Sequence, residues 1–270
     1  MNLYAVHNIV LRFYWWLSYL ATFAYLCCVL WHHKRRAASD SCMPSRDRKV
    51  RTRNMSIVFI TWNVGLAIFS AIGTLQTAPR VWGFIRNHGM TSFLCEDPFK
   101  TVGEGDWARW SFLFVCSKYI ELLDTAFLIW RNKNVSFLHY YHHSTVLVFV
   151  WRAFIVKLSS GMIFTSINYF VHAFMYVYYA QATITAERPT WGKCVTALQL
   201  MQMLLGLAAT AWHIVVGAMQ SGCRSDMLTL KCGMLLYVSY FGLFVHFSLG
   251  RHFTKVPLPG HPLPTARKDD

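Results

Sequence analysis

The chain has 270 residues, of which 55% are hydrophobic, 16% are aromatic and only 14% carry a formal charge. A soluble domain carries roughly a quarter charged residues, so the composition excludes an ordinary soluble enzyme, and the apolar content excludes a disordered chain. The formal net charge of +14 is compatible with nucleic-acid binding, but Lys and Arg fall in short runs between apolar stretches, as in membrane proteins. We therefore expect a lipid environment and no nucleic-acid partner.

Seven apolar stretches are long enough to cross a bilayer, which takes about 20 helical residues. Five of them contain no Asp, Glu, Lys or Arg: residues 13–31, 55–78, 159–186, 195–220 and 232–250. Charged residues interrupt the stretch 110–130, and the short stretch 135–151 is expected to continue past Arg152 to residue 156. A secretory signal peptide is the alternative for the first stretch, but the stretch is too long and lacks a small-residue cleavage site. The pattern predicts an all-α membrane protein with seven transmembrane helices over residues 1–255, followed by a flexible cytoplasmic tail, 256–270.

The orientation follows from the basic residues, which resist translocation across a membrane. Segment 32–53 holds eight of them and should be cytoplasmic, so the N-terminus is expected on the opposite side and the C-terminus in the cytoplasm. Arg267 and Lys268 lie where a dibasic retrieval signal for the endoplasmic reticulum would lie, and an ordinary solvated tail explains them equally well. Cys95 and Cys223 are the only two cysteines in loops on the oxidising side, and we predict a disulfide between them.

Ionisable and polar groups inside membrane spans are costly, so each one is a functional candidate. The third span carries Lys118 and Glu121, which are three residues apart and can pair locally, and Asp124. These charges form either part of a site or a purely structural buried network. The fourth span begins with three imidazoles on one helix face, and the fifth and sixth add polar side chains at similar depth. These residues are His139, His142 and His143, then Asn168, His172, Tyr176 and Tyr179, then Gln199 and Gln202. The two glutamines are equally explained as a bridge between helices. We expect one buried site that faces the cytoplasm.

Four motifs in chain order carry a resemblance to a known family. KYIELLDT at 118–125, HYYHH at 139–143, NYFVHAFMYVYY at 168–179 and TALQLMQ at 196–202 resemble the KxxExxDT, HxxHH, HxxMYxYY and TxxQxxQ signatures of the very-long-chain fatty acid elongases, the ELO family of 3-ketoacyl-CoA synthases. All four are intact, and together they are far more specific than HxxHH alone. The surrounding sequence FLHYYHHSTVLVFVW looks most like members acting on saturated and monounsaturated acyl chains.

The resemblance implies an acyltransferase of the endoplasmic reticulum membrane that condenses an acyl-CoA with malonyl-CoA and releases CO2 and CoA. It implies a seven-helix bundle in which six helices enclose a substrate tunnel, no bound cofactor or metal, and further partners among the reductases and the dehydratase of the elongation cycle. It also assigns His142 as a nucleophile that forms an acyl-imidazole, with His172 near the same carbonyl. His139 and His143 would orient His142 or move protons.

The same resemblance implies a substrate-binding set around these histidines. Asn168, Tyr176, Gln199 and Gln202 are candidates for stabilising the enolate that forms when malonyl-CoA loses CO2. Tyr179 and the charged residues Lys118, Glu121 and Asp124 complete the set within the spans. Charge and depth add four cytoplasmic cations for the CoA phosphates: Arg131, Lys133, Arg188 and Lys193.

Two alternatives belong to other classes. A membrane di-iron desaturase or hydroxylase also uses HxxHH, but it needs several histidine boxes, and outside the single box here His172, His213 and His246 stand alone in their spans. A seven-helix receptor or transporter would use the buried charges as a ligand site or a proton path. That reading leaves the face with three imidazoles unexplained.

Overall fold

The computed structural model describes residues 3–10, 14–39, 45–98, 106–131, 133–223 and 225–253, and within these ranges no strand occurs. Helices follow one another through the described part of the chain: α1 Leu3–Ile9, α2 Leu17–Ser39, α3 Ser45–Cys95, α4 Asp106–Ile120, α5 Leu122–Trp130, α6 Phe137–Ile155, α7 Ser160–Thr185, α8 Gly192–Met219 and α9 Met227–Phe253. The predicted all-α class is confirmed for these ranges. The predicted tail 256–270, with Arg267 and Lys268, lies outside the described residues.

The helices overlap the predicted apolar stretches, but several extend beyond them: α2 ends at Ser39 and α9 begins at Met227. Helix α3 has 51 residues and continues through Pro79, past the predicted end at residue 78; its one internal break is at Gly89, where φ is 84° and ψ is 159°. Such a φ favours glycine because a Cβ atom would be strained there. The third apolar stretch forms two helices, α4 and α5, which are separated by a single turn residue, Glu121.

Three helical segments are long and apolar enough to cross a membrane: Ser56–Cys95 of α3, Gly192–Met219 of α8 and Met227–Leu249 of α9. Large apolar side chains are exposed on these helices, among them Leu75 and Leu235. A soluble monomer rarely exposes so much contiguous apolar surface. The chain is therefore a membrane protein. The other predicted spans coincide with α2, with α4 and α5 together, with α6 and with α7.

The contacts between helices run in a closed order. Helix α3 packs along α7, α7 packs on α8, α8 on α9, α9 on α6, α6 on α4, and α4 on α3. Helix α2 packs against α6. Tyr25 and Val29 of α2 are buried in a cluster with Val135, which lies just before α6. This arrangement brings residues from distant parts of the sequence to a common interior.

The start of α6 sets the position of the histidine motif. Ser136 is extended, with φ −69° and ψ 155°, and its side chain accepts a hydrogen bond from the backbone N–H of His139 over 3.3 Å. This is a helix N-cap, which satisfies one of the free N–H groups of the first turn. Because the cap fixes where the helix begins, it also fixes which face of α6 carries His139, His142 and His143.

Candidate active site

A buried ion pair lies at the junction of α4 and α5. Lys118 Nζ is 2.7 Å from Glu121 Oε1 and donates a second hydrogen bond to Asn168 Oδ1 on α7 over 2.9 Å. Ser117 Oγ donates to the same carboxylate oxygen over 3.2 Å. Both charged residues are almost fully buried. A pair in such a place is stable only when further hydrogen bonds satisfy it, and Asn168 and Ser117 provide them.

The second oxygen of the Glu121 carboxylate, Oε2, is buried and has no hydrogen-bond partner among the described residues. His172 Nδ1 on α7 is 3.9 Å from the other oxygen, Oε1. A buried acceptor without a partner is uncommon and marks a place where a further donor fits. The structure thus brings Glu121 and His172 close to each other, beside the ion pair.

The carboxylate of Asp124 binds two aromatic side chains from different helices. Trp62 Nε1 of α3 donates to Oδ1 over 2.6 Å, and the hydroxyl of Tyr176 of α7 donates to Oδ2 over 3.0 Å. Both carboxylate oxygens are therefore occupied. Asp124 and Tyr176 tie α3, α5 and α7 together, and the Tyr176 hydroxyl proton is already engaged in this contact.

The histidine motif is connected to two other helices through hydroxyl groups. Thr125 Oγ1 of α5 lies 2.8 Å from His139 Nε2, and the Tyr25 hydroxyl of α2 lies 2.9 Å from the same Thr125 oxygen. Within α6 the ring centroids of His139 and His143 are 4.3 Å apart, and those of His142 and His143 are 5.5 Å apart. The three imidazoles form one contiguous cluster.

A cavity opens beside this cluster. Three of the sequence-predicted residues line it: His142, Asn168 and Gln202. Most of the remaining wall is apolar and comes from α4, α6, α7, α8 and α9, with Tyr240 of α9 packing against His142 at a ring-centroid distance of 5.1 Å. Lys157 and Leu158, in the loop after α6, also line the cavity, at the end of α6 opposite His142.

Other predicted residues lie beside the cavity or away from it. The side-chain amide of Gln199 donates weakly to the sulfur of Met175 over 3.5 Å, and Tyr179 is exposed on α7. Of the four cations, Arg131 packs over the ring of Phe59 at 4.7 Å, and the other three are exposed on the surface: Lys133, Arg188 and Lys193. The structure does not bring these four cations into one cluster with the histidines.

The loops at the opposite end of the helices are linked covalently and by ion pairs. A disulfide joins Cys95, at the end of α3, to Cys223, between α8 and α9. Asp226 accepts a hydrogen bond from the backbone N–H of Thr229 over 2.8 Å and so caps α9. Burial acts to raise the pKa of Asp226, but its hydrogen bonds with Thr229 and the charge of Arg152 hold that pKa below its ordinary value.

Comparison with known proteins decides the family. The chain matches the ELO family, described as the GNS1/SUR4 family, over residues 10–256. The chain belongs to this family. Among its ELO relatives, "Very long chain fatty acid elongase 4" of Trypanosoma cruzi is 34% identical over 224 residues, covering 81% of this chain and 76% of the relative. "Very long chain fatty acid elongase 3" of Homo sapiens is 36% identical over 199 residues, covering 72% of this chain and 71% of the relative. "Very long chain fatty acid elongase 6" of Gallus gallus is 36% identical over 190 residues, covering 70% of each chain.

The family membership predicted from the four motifs is thus confirmed. Within the described ranges of this ELO protein, no three His, Cys, Asp or Glu side chains group as metal ligands. Residues that contact the site and were missed in the sequence include Trp62, Tyr25, Tyr240 and Ser117. The sequence contains only a weak indication that these residues contact the site. A Trp or Tyr inside a span needs a hydrogen-bond partner, but its identity depends on packing.

Proposed function

We propose that this protein is a fatty acid elongase that condenses an acyl-CoA with malonyl-CoA to a 3-ketoacyl-CoA, releasing CO2 and CoA. The observation that carries the proposal is the cavity, whose wall holds His142, Asn168 and Gln202 together and is otherwise mainly apolar. Such a wall suits a substrate with a reactive polar end and a long hydrocarbon chain. The three relatives named above are all very long chain fatty acid elongases, and their names support the same activity.

The α6 wall suggests how the acyl chain lies. Its lining residues recur at helical spacing: His142, Val146, Phe149, Val150, Ala153 and Phe154, followed by Lys157 and Leu158. At 1.5 Å per residue this wall extends roughly 20 Å from His142. Carbon–carbon single bonds of about 1.5 Å advance about 1.25 Å per carbon along an extended chain, so the length of this wall matches an acyl chain of about 16 carbons. The sequence around the histidine motif favours saturated or monounsaturated chains.

The first half-reaction is an acyl transfer to His142. The free ring nitrogen of the neutral imidazole bonds to the thioester carbon, and the carbon–sulfur bond breaks. The CoA thiolate takes the proton from the other ring nitrogen and leaves as the thiol, so that a neutral acyl-imidazole remains. The apolar wall excludes water, which protects this intermediate from hydrolysis.

The second half-reaction forms the new carbon–carbon bond. Malonyl-CoA loses CO2, and the electrons of the broken bond form an enolate whose carbon attacks the acyl-imidazole. The carbon–nitrogen bond breaks, 3-ketoacyl-CoA is released, and the His142 imidazolate must take up one proton. The cycle therefore consumes one proton for each product.

Stabilisation of the enolate oxygen is the proposed task of amide groups in the cavity wall. Because Lys118 donates to Asn168 Oδ1, the Asn168 amide is held with its NH2 group available as a donor. Gln202 lines the same cavity, and His172 lies beside the Lys118–Glu121 pair. A preorganised donor aimed at developing negative charge is worth about 10²–10³ in rate. In this assignment Lys118 and Glu121 act by positioning Asn168.

We further propose a seven-helix bundle in the endoplasmic reticulum membrane, with α4 and α5 forming one span and six helices enclosing the substrate tunnel. The closed order of contacts from α3 through α7, α8, α9, α6 and α4 supports this arrangement. The basic segment 32–53 supports a lumenal N-terminus and a cytoplasmic C-terminus. Arg131, Lys133, Arg188 and Lys193 would then lie on the side from which the CoA substrates arrive. The reductases and the dehydratase of the cycle are the expected partners.

Two measurements test the proposal. Membranes containing the protein are incubated with labelled malonyl-CoA and acyl-CoAs from octanoyl-CoA to eicosanoyl-CoA, and labelled 3-ketoacyl product is expected. Absence of product at every chain length would contradict elongase activity. In the second measurement, His142→Ala abolishes the release of CoA from acyl-CoA without malonyl-CoA. His246→Ala, which removes an exposed imidazole of α9, is the matched control and retains that release. Release that persists in His142→Ala would indicate direct condensation without an acyl-enzyme.

A further inference from the structure

A pair of buried hydroxyl groups extends the histidine cluster to helix α2. The Tyr25 hydroxyl lies 2.9 Å from Thr125 Oγ1, which lies 2.8 Å from His139 Nε2. Tyr25 is 8% exposed and Thr125 is 2% exposed. Beyond His139 the rings of His143 and His142 follow in sequence, and His142 lines the cavity. Hydrogen-bond distances join Tyr25, Thr125 and His139, and ring contacts join His139, His143 and His142, so this row of groups extends from α2 to the cavity.

Each hydroxyl in this row carries one proton, so the row has a direction. When Tyr25 donates to Thr125, the Thr125 hydroxyl donates to His139 Nε2. The proton of the neutral His139 ring is then on Nδ1. In this arrangement the hydrogen bond from Thr125 favours that tautomer of His139, as a hydrogen bond to one ring nitrogen generally does.

We propose that Tyr25 and Thr125, acting through His139 and His143, deliver to the His142 imidazolate the one proton that the condensation consumes. The proposal rests on the proposed function, since it assigns a source to the proton required when the carbon–nitrogen bond of the acyl-imidazole breaks. Tyr25 and Thr125 do not line the cavity, so they are positioning residues.

The transfer balances at every group. Thr125 gives its hydroxyl proton to His139 Nε2 and takes the hydroxyl proton of Tyr25, which regains one from solvent. His139 passes the proton of its other ring nitrogen to His143, and His143 passes one to His142. Each intermediate group gains one proton and loses one, so none remains charged. The net change is one solvent proton bound to the imidazolate.

The test separates the two half-reactions. Tyr25→Phe keeps the buried ring but interrupts the row at its first group, and Thr125→Val interrupts it at the second. Both variants are expected to release CoA from acyl-CoA at a rate within about twofold of the wild type when malonyl-CoA is absent. With malonyl-CoA present, both are expected to lose at least tenfold in kcat at unchanged KM, because positioned proton transfer contributes about 10²–10⁴ in rate. Their kcat should also show a larger solvent deuterium isotope effect.

Two control variants distinguish proton delivery from packing. Thr125→Ser retains the hydroxyl and should restore kcat to near the wild-type value. Tyr169→Phe removes another buried tyrosine hydroxyl, which donates to the carbonyl of Trp110 over 3.0 Å and belongs to a different contact. It should leave the ratio of the two half-reaction rates and the isotope effect unchanged.

The outcomes are distinct. Equal slowing of both half-reactions in Tyr25→Phe, or no slowing of either, would overturn the proton-delivery role. If Thr125→Val does not fold, Tyr25→Phe alone decides between these results, because the ring that packs in the cluster is kept. A wild-type protein that releases no CoA from acyl-CoA without malonyl-CoA would instead refute the acyl-imidazole mechanism itself.

Discussion

Replacing Gly233 by alanine should change the length of fatty acid that the protein accepts. Gly233 lies on α9 and has no Cβ atom where the tip of the Phe149 ring approaches it. A Cβ built at this position would be 2.8 Å from Phe149 Cζ and 3.1 Å from Cε2. Contacts this short are not tolerated, so the ring must move. Because Phe149 lines the cavity, we expect its displacement to narrow the part of the cavity that lies farther from His142 than Phe149 does.

The position of Phe149 on α6 gives the expected size of the effect. Phe149 follows His142 by seven residues, or about 10 Å of helix, which corresponds to about eight carbons of an extended chain. Each methylene that loses its buried site costs about 0.8 kcal/mol. If the moved ring excludes two to four methylenes, the loss is about 1.6–3.2 kcal/mol, or about 15- to 200-fold in kcat/KM for hexadecanoyl-CoA. Octanoyl-CoA, which ends at the level of Phe149, should be unaffected.

The assay compares kcat/KM for hexadecanoyl-CoA and octanoyl-CoA, measured from incorporation of labelled malonyl-CoA. Gly242→Ala is the matched control, because a Cβ at Gly242, on the same helix, has no neighbour within 4 Å. The control should retain the wild-type ratio of the two substrates. A Gly233→Ala variant that lowers kcat/KM equally for both substrates, or for neither, would refute the placement of the acyl chain along α6.

Three further predictions concern the stability of the fold. Glu121→Gln leaves the buried Lys118 without its counter-ion, and we expect a loss of about 3–5 kcal/mol, seen as a lower yield of folded protein and a lower Tm in detergent. Asp226→Ala removes the cap of α9 and should cost about 1 kcal/mol near neutral pH. Since the folded-state pKa of Asp226 is lowered, its stabilisation is complete above the ordinary aspartate pKa of about 3.9 and is lost as the pH falls through the lower value. The Tm difference between wild type and this variant should therefore shrink on acidification, and a pH-independent difference would contradict the assignment. Peptide mapping without reduction should recover Cys95 and Cys223 in one linked fragment, and finding both as free thiols would contradict the disulfide.

Apolar length was sufficient to predict most of the helices of the described ranges, and the spacing of polar residues was sufficient to predict some of their contacts. The continuation of the fourth stretch past Arg152 is one example, since no charge other than that arginine interrupts it before Ile155, where α6 ends. The local pair Lys118 and Glu121 is another, because residues three apart on a helix face each other and opposite charges attract. Both properties are encoded within a few neighbouring residues.

Contacts between helices that are far apart in the sequence could not be predicted from the sequence alone. The bonds from Trp62 to Asp124 and from Tyr25 to Thr125 join residues 62 and 100 positions apart. A single sequence indicates that these side chains need partners, but it does not indicate which helix supplies them. The break at Glu121 was also missed, because no Pro or Gly marks it in the sequence. Charge and depth alone set no direction for a side chain, so the positions of the four predicted cations relative to the histidines could not be derived from the sequence.

The polar contacts among Lys118, Asp124, His139 and Asn168 occupy one layer of the molecule, whereas the wall that continues from Phe149 to Leu158 is formed mostly by aliphatic and aromatic side chains. These two regions share few residues. Natural selection can therefore alter the depth of the wall one apolar substitution at a time without disturbing the polar layer. Under the proposed function, elongases for acyl chains of different lengths would arise in this way around one set of histidines.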